Sequence, residues 1–341
     1  MRAAKTRKSK GESPRALEVA RPRALGFRAW WRILLRVAAE ADSRNLGLIA
    51  AGVAFYTLLS IFPAIAALVA LWGVFADPQT IADQLGMAQQ LLPEAAYGIV
   101  ERQVDTLVSS AGTTLQLTGI VSILLAVWTA RNGVASMIRG LNAAYREHHR
   151  SSTIKRYLVA IGLTVLLIGV AIIAFAAVIM VPIILNFLTL PFGIEALISA
   201  LKWVILLGVV LFSIGLVYRH GPNRRSARVR WLSPGALFAL VTWAAGSFAF
   251  SLYLRNFGAL NEVYVSIGAV IALLLWFFLS AYVVLIGALL NAEIELETIR
   301  DTTVGSPRPA GERKAYVADH VVDSDGNVHV ATQADADDAQ T

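Results

Sequence analysis

Leu46–Phe75, LGLIAAGVAFYTLLSIFPAIAALVALWGVF, decides the fold, because no residue in it carries a charge. About 20 predominantly apolar residues carry a helix across the hydrocarbon core of a bilayer. This run is longer than that, and it is apolar on every side, so no polar stripe is left to face water. Five further runs share its character. One begins near residue 115 and continues past Arg131, and the others cover about 157–188, 196–218, 231–253 and 266–292. The predicted fold is all-α, a polytopic transmembrane bundle of about six helices.

Composition agrees. Hydrophobic residues make up 57% of the 341 and charged residues 16%, against roughly 45–50% and 25% in soluble domains. The net charge of +7, taken alone, would admit nucleic acid as a partner. The placement of the charges argues otherwise. Of the 30 Lys and Arg residues, all but Arg102, Lys202 and Arg255 flank the spans on one side. They lie in residues 1–46, 131–157, 218–231 and the C-terminal tail. Basic residues flanking spans stay in the cytoplasm, so an even number of spans with both ends cytoplasmic is expected, and no nucleic-acid partner.

Three regions follow. Residues 1–45 are a basic tail leading into a short amphipathic helix. There Arg28, Arg32 and Arg36 recur every four residues beside Trp30 and Trp31. Such a helix suits either the headgroup layer of an anionic leaflet or a face of its own protein. Residues 46–298 are the six-helix domain, with an extracytoplasmic helical insertion at about 76–114. Residues 299–341 are a polar tail, expected to be mostly disordered, in which 321–330 can form a hairpin around Asp325-Gly326.

Polar groups within hydrocarbon are costly and usually face a bundle interior or a watery path. In the first span, Tyr56 and Ser60 share a face with Gly52, and Pro63, three residues after Ser60, frees a backbone carbonyl near Leu59. In the second, Arg131 and Asn142 lie three turns apart on one face, and Asn132 and Arg139 two turns apart on an adjacent one. An arginine there offers a rigid fork of donors to an anion. In the sixth, Asn291 and Glu293 stand near the inner surface, where Glu293 is placed to pair with Arg131 or Arg139. These nine residues are the candidate substrate or translocation set. Helix packing by small and hydroxyl residues and snorkelling of Arg131 are the plain alternatives.

Catalytic signals are weak. The chain lacks cysteine, and its five histidines fall in no metal-binding spacing. There is no phosphate loop and no nucleophile elbow. No metal, cofactor or catalytic residue is expected.

Three stretches resemble the YihY/BrkB family of bacterial inner-membrane proteins, once labelled ribonuclease BN. Ala54-Phe55-Tyr56-Thr57-Leu58-Leu59-Ser60-Ile61-Phe62-Pro63 is similar to the family's A-F-Y-T-L-L-S-x-F-P signature. Leu141-Asn142-Ala143-Ala144-Tyr145 is similar to its L-N-x-x-Y segment. Pro222-Asn223-Arg224, Pro234-Gly235-Ala236-Leu237, Ser266-Ile267-Gly268 and Asn291-Ala292-Glu293 follow in matching order. Val265 stands where the family has glycine, and Leu289 where it commonly has an acid. The resemblance covers roughly residues 28–300. It implies a six-helix protein of the bacterial inner membrane, with lipid or solute export as the broad functional expectation. The basic rim of Arg131, Arg139, Asn142 and the 218–231 arginines then favours an anionic ligand, with anionic lipid at the cytoplasmic face. A membrane scaffold for envelope assembly is the second expectation, and a ribonuclease the third.

Overall fold

The computed structural model describes residues 27–75, 112–147, 152–187, 192–224, 233–257, 262–297, 311–322 and 328–331. The basic tail up to residue 26 lies outside them. So does the expected insertion at 76–114, except for its last residues, which open a helix. Seven long helices run through the described residues: α1 Phe27–Ser43, α2 Leu46–Phe75, α3 Gly112–Ala144, α4 Thr153–Phe187, α5 Phe192–His220, α6 Pro234–Phe257 and α7 Glu262–Leu296. All but α1 contain a stretch long and apolar enough to cross a membrane, giving six candidate spans. The all-α bundle read from the apolar runs is the architecture found.

Neighbours in sequence pack as neighbours in space, and α7 returns to α2, so α2 to α7 close a ring. Glycines set the tightest seams. On α3, Gly133 faces Tyr56 and Thr57 of α2, and Gly140 faces Leu285 of α7 and Ile49 of α2. Between α6 and α7 the backbones nearly touch, since a Cβ on Gly235 would run into the Gly287 carbonyl. Small residues allow such approach where lipid supplies no hydrophobic driving force. Two reciprocal bonds continue the α6–α7 seam. Trp243 Nε1 donates to Ser280 Oγ at 3.0 Å, and Trp276 Nε1 to Ser247 Oγ at 3.3 Å. Each pair satisfies an indole N–H that lipid could not.

The amphipathic first helix is packed on its own protein. Ile33, Val37 and Ala41 are buried, and α1 lies against α7 and the start of α2. Its outward face still exposes Phe27, Trp31, Leu34 and Leu35. Of the two expectations for α1, packing on its own protein is the one its buried face meets.

Part of the C-terminal tail is folded, where composition argued for disorder through most of it. A one-turn helix α8, Tyr316–Asp319, leads into β1, His320–Val322, which pairs antiparallel with β2, Val328–Val330. Val317 and Val322 join the core cluster that holds Ile294 and Leu296 of α7. The Tyr316 N–H donates to Glu147 Oε1 at 2.7 Å, which ties the tail back to the end of α3.

Candidate functional site

Charged side chains gather where α1 meets the ends of α3 and α7, and they fall into two groups. In the first, every charge is matched. Arg36 donates from Nε to Glu293 at 3.0 Å and from NH2 to Glu297 at 2.7 Å. Arg146 reaches Glu293 at 3.2 Å and Glu40 at 3.3 Å. Arg44 pairs with Glu40, and its NH1 donates to the Ala143 carbonyl at 2.6 Å. Arg224 pairs with Glu295 at 2.9 Å. Four arginines thus meet four glutamates.

Local chain geometry builds this cluster. At the end of α3 the Glu147 N–H bonds the Asn142 carbonyl and the Arg146 N–H bonds the Ala143 carbonyl. That is a Schellman ending with Arg146 in the left-handed position, φ 57. Glycine is the usual occupant, and an L side chain costs about 1 kcal/mol there. The two ion pairs of Arg146 explain why an arginine stands in its place. Arg44 caps the exposed carbonyls of the same helix end, a favoured place for a cation. Burial would raise the Glu40 carboxyl, but the Arg44 hydrogen bond and the Arg44 and Arg146 charges hold it below its usual value of 4.5. Burial pushes the Tyr145 hydroxyl up to about 12, and the Arg224 guanidinium lies over that ring at 4.2 Å.

In the second group the charges are not matched. A cavity of about 330 Å³ opens between α3, the start of α4 and the end of α5. Arg131, Arg139, Lys155, Arg156 and Arg219 line it, as does Arg224, which is paired with Glu295. Among the described residues no carboxylate lines this cavity, and the first five form no ion pair. Arg131 stacks on Tyr157 at 4.0 Å and donates from NH1 to Asn132 Oδ1 at 2.9 Å. Its Nε–H is buried and meets no acceptor among the described residues. Arg139 rests on Ser136 Oγ at 2.7 Å. Asn142 Oδ1 accepts the Asn223 N–H at 2.7 Å, which fixes the chain after α5 as the cavity's far wall.

The sequence candidates therefore separate. Arg131, Arg139 and Asn142 come together at the cavity, whereas Asn132 does not line it and is joined to it only by accepting from Arg131 NH1. Glu293 does not join them. Its partners are Arg36 and Arg146 rather than Arg131 or Arg139, because α7 faces α1 and the end of α3, whereas the Arg131 face of α3 turns to α4. Each step of four residues advances a helix by about 40°, which brings Arg36, unlike Arg28, toward the buried stripe of α1. Asn291 closes a helix start: its Oδ1 accepts the Gly235 N–H at 2.8 Å and its Nδ2 donates to Ser233 Oγ at 3.0 Å. Ser233 before Pro234 is a cap and first-turn pair. Tyr56 packs at the Gly133 seam, and Ser60 Oγ donates to the Thr57 carbonyl at 2.7 Å. Pro63 lies within α2. None of these four reaches the cavity.

Residues 37–311 match the family described as Virulence factor BrkB. A ribonuclease-like protein of Bacillus subtilis, YfkH, is 30% identical over 260 residues, which covers 71% of this chain and 87% of that protein. A UPF0761 membrane protein of Pseudoalteromonas translucida is 34% identical over 95 residues, 28% of this chain and 31% of that one. A UPF0761 membrane protein of Xanthomonas campestris is 35% identical over 88 residues, 26% and 20% of the two chains. No solved structure matches.

Proposed function

The chain belongs to the BrkB virulence-factor family of membrane proteins, and from that premise we propose that it is a translocation protein of the bacterial inner membrane whose cytoplasmic cavity receives an anionic ligand. The observation that carries this reading is the contrast between the two charge groups. The fold balances four arginines with four glutamates a short distance away, yet among the described residues five cations face one cavity without a carboxylate. Converging cations repel one another unless an anion sits among them. The guanidinium forks of Arg131 and Arg139 suit phosphate or carboxylate oxygens. The distribution of Lys and Arg supports a cytoplasmic position for this end and for both termini.

The test is binding of inorganic phosphate and glycerol phosphate to the full chain in nanodiscs of uncharged lipid, followed by flux in proteoliposomes. Binding is expected to weaken with salt and to fall about tenfold in Arg131→Gln, the equivalent of one charge-assisted hydrogen bond. Binding that ignores both salt and the substitution would refute the reading.

The name of the Bacillus relative raises RNA cleavage as a rival, and the same cations would hold RNA phosphates. We read this chain as non-catalytic. RNA hydrolysis by the purified protein, abolished by Arg131→Gln, would establish the rival instead.

A further inference from the structure

Arg131 and Tyr157 belong to two hollows at once. On one side lies the cationic cavity. On the other is a groove of about 520 Å³ between α3 and α4, walled by Val121, Leu124, Leu125, Val127, Trp128 and Ile161. Among the described residues, no charged side chain apart from Arg131 lines it. The stacked Arg131–Tyr157 pair, 4.0 Å from cation to ring centre, is the sill where the two meet.

The groove opens sideways. Val121, Leu124, Leu125 and Trp128 are exposed on the outer surface of a membrane-crossing helix, where the surrounding medium is acyl chains. Its length follows from the helix. Val121 to Arg131 is ten residues of α3, about 15 Å, which matches half of a hydrocarbon core about 30 Å thick. A molecule fitting both hollows has an anionic head at Arg131 and an apolar tail reaching toward the bilayer centre.

We infer that the ligand is a membrane-resident amphiphile with a phosphate-bearing head, which enters sideways between α3 and α4 and lays one acyl chain in the groove. The inference rests on the anion cavity proposed above and narrows its ligand to a lipid. Moving a chain from bilayer to groove gains little, since lipid is as apolar as the groove wall. Selection among lipids therefore comes from the head. The tail gives alignment and a high local concentration that a soluble anion lacks.

Trp128 in the groove wall supplies the readout. The full chain is placed in phosphatidylcholine nanodiscs containing a small share of phosphatidylglycerol, with brominated chains on one lipid or the other. Bromine quenches nearby indole fluorescence. The chain has 8 tryptophans, so the signal is the difference between the wild type and Trp128→Phe. Brominated phosphatidylglycerol is expected to quench Trp128 several-fold more per molecule than brominated phosphatidylcholine. Arg131→Gln should reduce that preference about tenfold, and Arg131→Lys should retain part of it. Arg139→Gln, an exposed position on the same cavity, gives a second variant should Arg131→Gln fail to fold.

Equal quenching by the two lipids would overturn the inference, since the groove would then be ordinary lipid contact. If glycerol phosphate in solution binds with Arg131 dependence while phosphatidylglycerol shows no preference at Trp128, the anion cavity stands and the lipid inference falls. If neither depends on Arg131, both fall.

Discussion

Glu293→Gln tests the charge cluster most directly. The Glu293 side chain is 0% exposed, and its two partners, Arg36 and Arg146, are 22% and 17% exposed. At about 3 Å and an effective dielectric near 20, each contact is worth roughly 5 kcal/mol before desolvation. Glutamine keeps the shape but leaves four arginines facing three carboxylates. Removing one partner of a buried pair costs about 3–5 kcal/mol. Arg36 retains Glu297 and Arg146 retains Glu40, which sets the expected loss at the lower end, about 3 kcal/mol. That loss falls on the docking of α1. The chain has no cysteine, so Ala41→Cys, at a position 4% exposed, reports opening of α1 through its rate of thiol labelling. A loss of about 3 kcal/mol raises that rate roughly 100-fold when opening is a fast pre-equilibrium. Ala318→Cys on α8, also 4% exposed, should stay protected, which separates loss of α1 from general unfolding. Arg36→Gln combined with Glu293→Gln should cost less than the sum of the two. Unchanged labelling at Ala41→Cys, or strict additivity of the pair, would refute the account.

Gly235→Val should abolish recovery of folded protein, because its side chain meets the Gly287 carbonyl, whereas Gly47→Ala, with open space around it, should change little; yield on gel filtration distinguishes them. Trp243→Phe should lower stability by about 1 kcal/mol through the lost bond to Ser280, read as a fall in Tm. Arg146→Gly should relieve about 1 kcal/mol of left-handed strain yet leave the protein less stable, since it removes two ion pairs; a higher Tm would contradict this. Because the Glu40 pKa is depressed below 4.5, its contribution is fully present above that value and is lost as pH falls through its folded-state pKa. Tm followed by tryptophan fluorescence should therefore begin to drop below about pH 4.5 on account of this residue, and Glu40→Gln should remove that portion of the drop.

The bundle was legible because an uncharged apolar run has one physical destination. Half of the cavity was legible as well: Arg131, Ala135, Ile138 and Asn142 recur at the period of one helix face, and cations are conspicuous in such a run. The rest was hidden for a definite reason. Arg36 and Glu293 lie 257 residues apart, and nothing in sequence says which of thirty cations a given glutamate will meet. Lys155 and Arg156 counted only toward topology, although they line the same cavity, and Arg219 entered only as one of the 218–231 arginines of the basic rim. Asn291 was visible as a polar group in an apolar helix, but its partner, a backbone N–H at the start of α6, leaves no mark in composition. Leu289, where the family resemblance implied an acid, is 0% exposed in the core. An isolated carboxylate at such a site would need a cation beside it.

The clasp between Arg36 and Glu293 also fixes an order of events during biosynthesis. At about 5–20 residues per second, a ribosome needs on the order of 10–50 s to travel the 257 residues between them. Throughout that interval α1 has no acidic partner from α7. Its aromatic outer face can meanwhile rest in the headgroup layer, holding the nascent chain at the surface while the later helices insert. Final closure then waits on the emergence of Glu293 and Glu297 and becomes a late step of assembly, so a stalled or truncated chain that ends before residue 293 should leave its leading helix undocked.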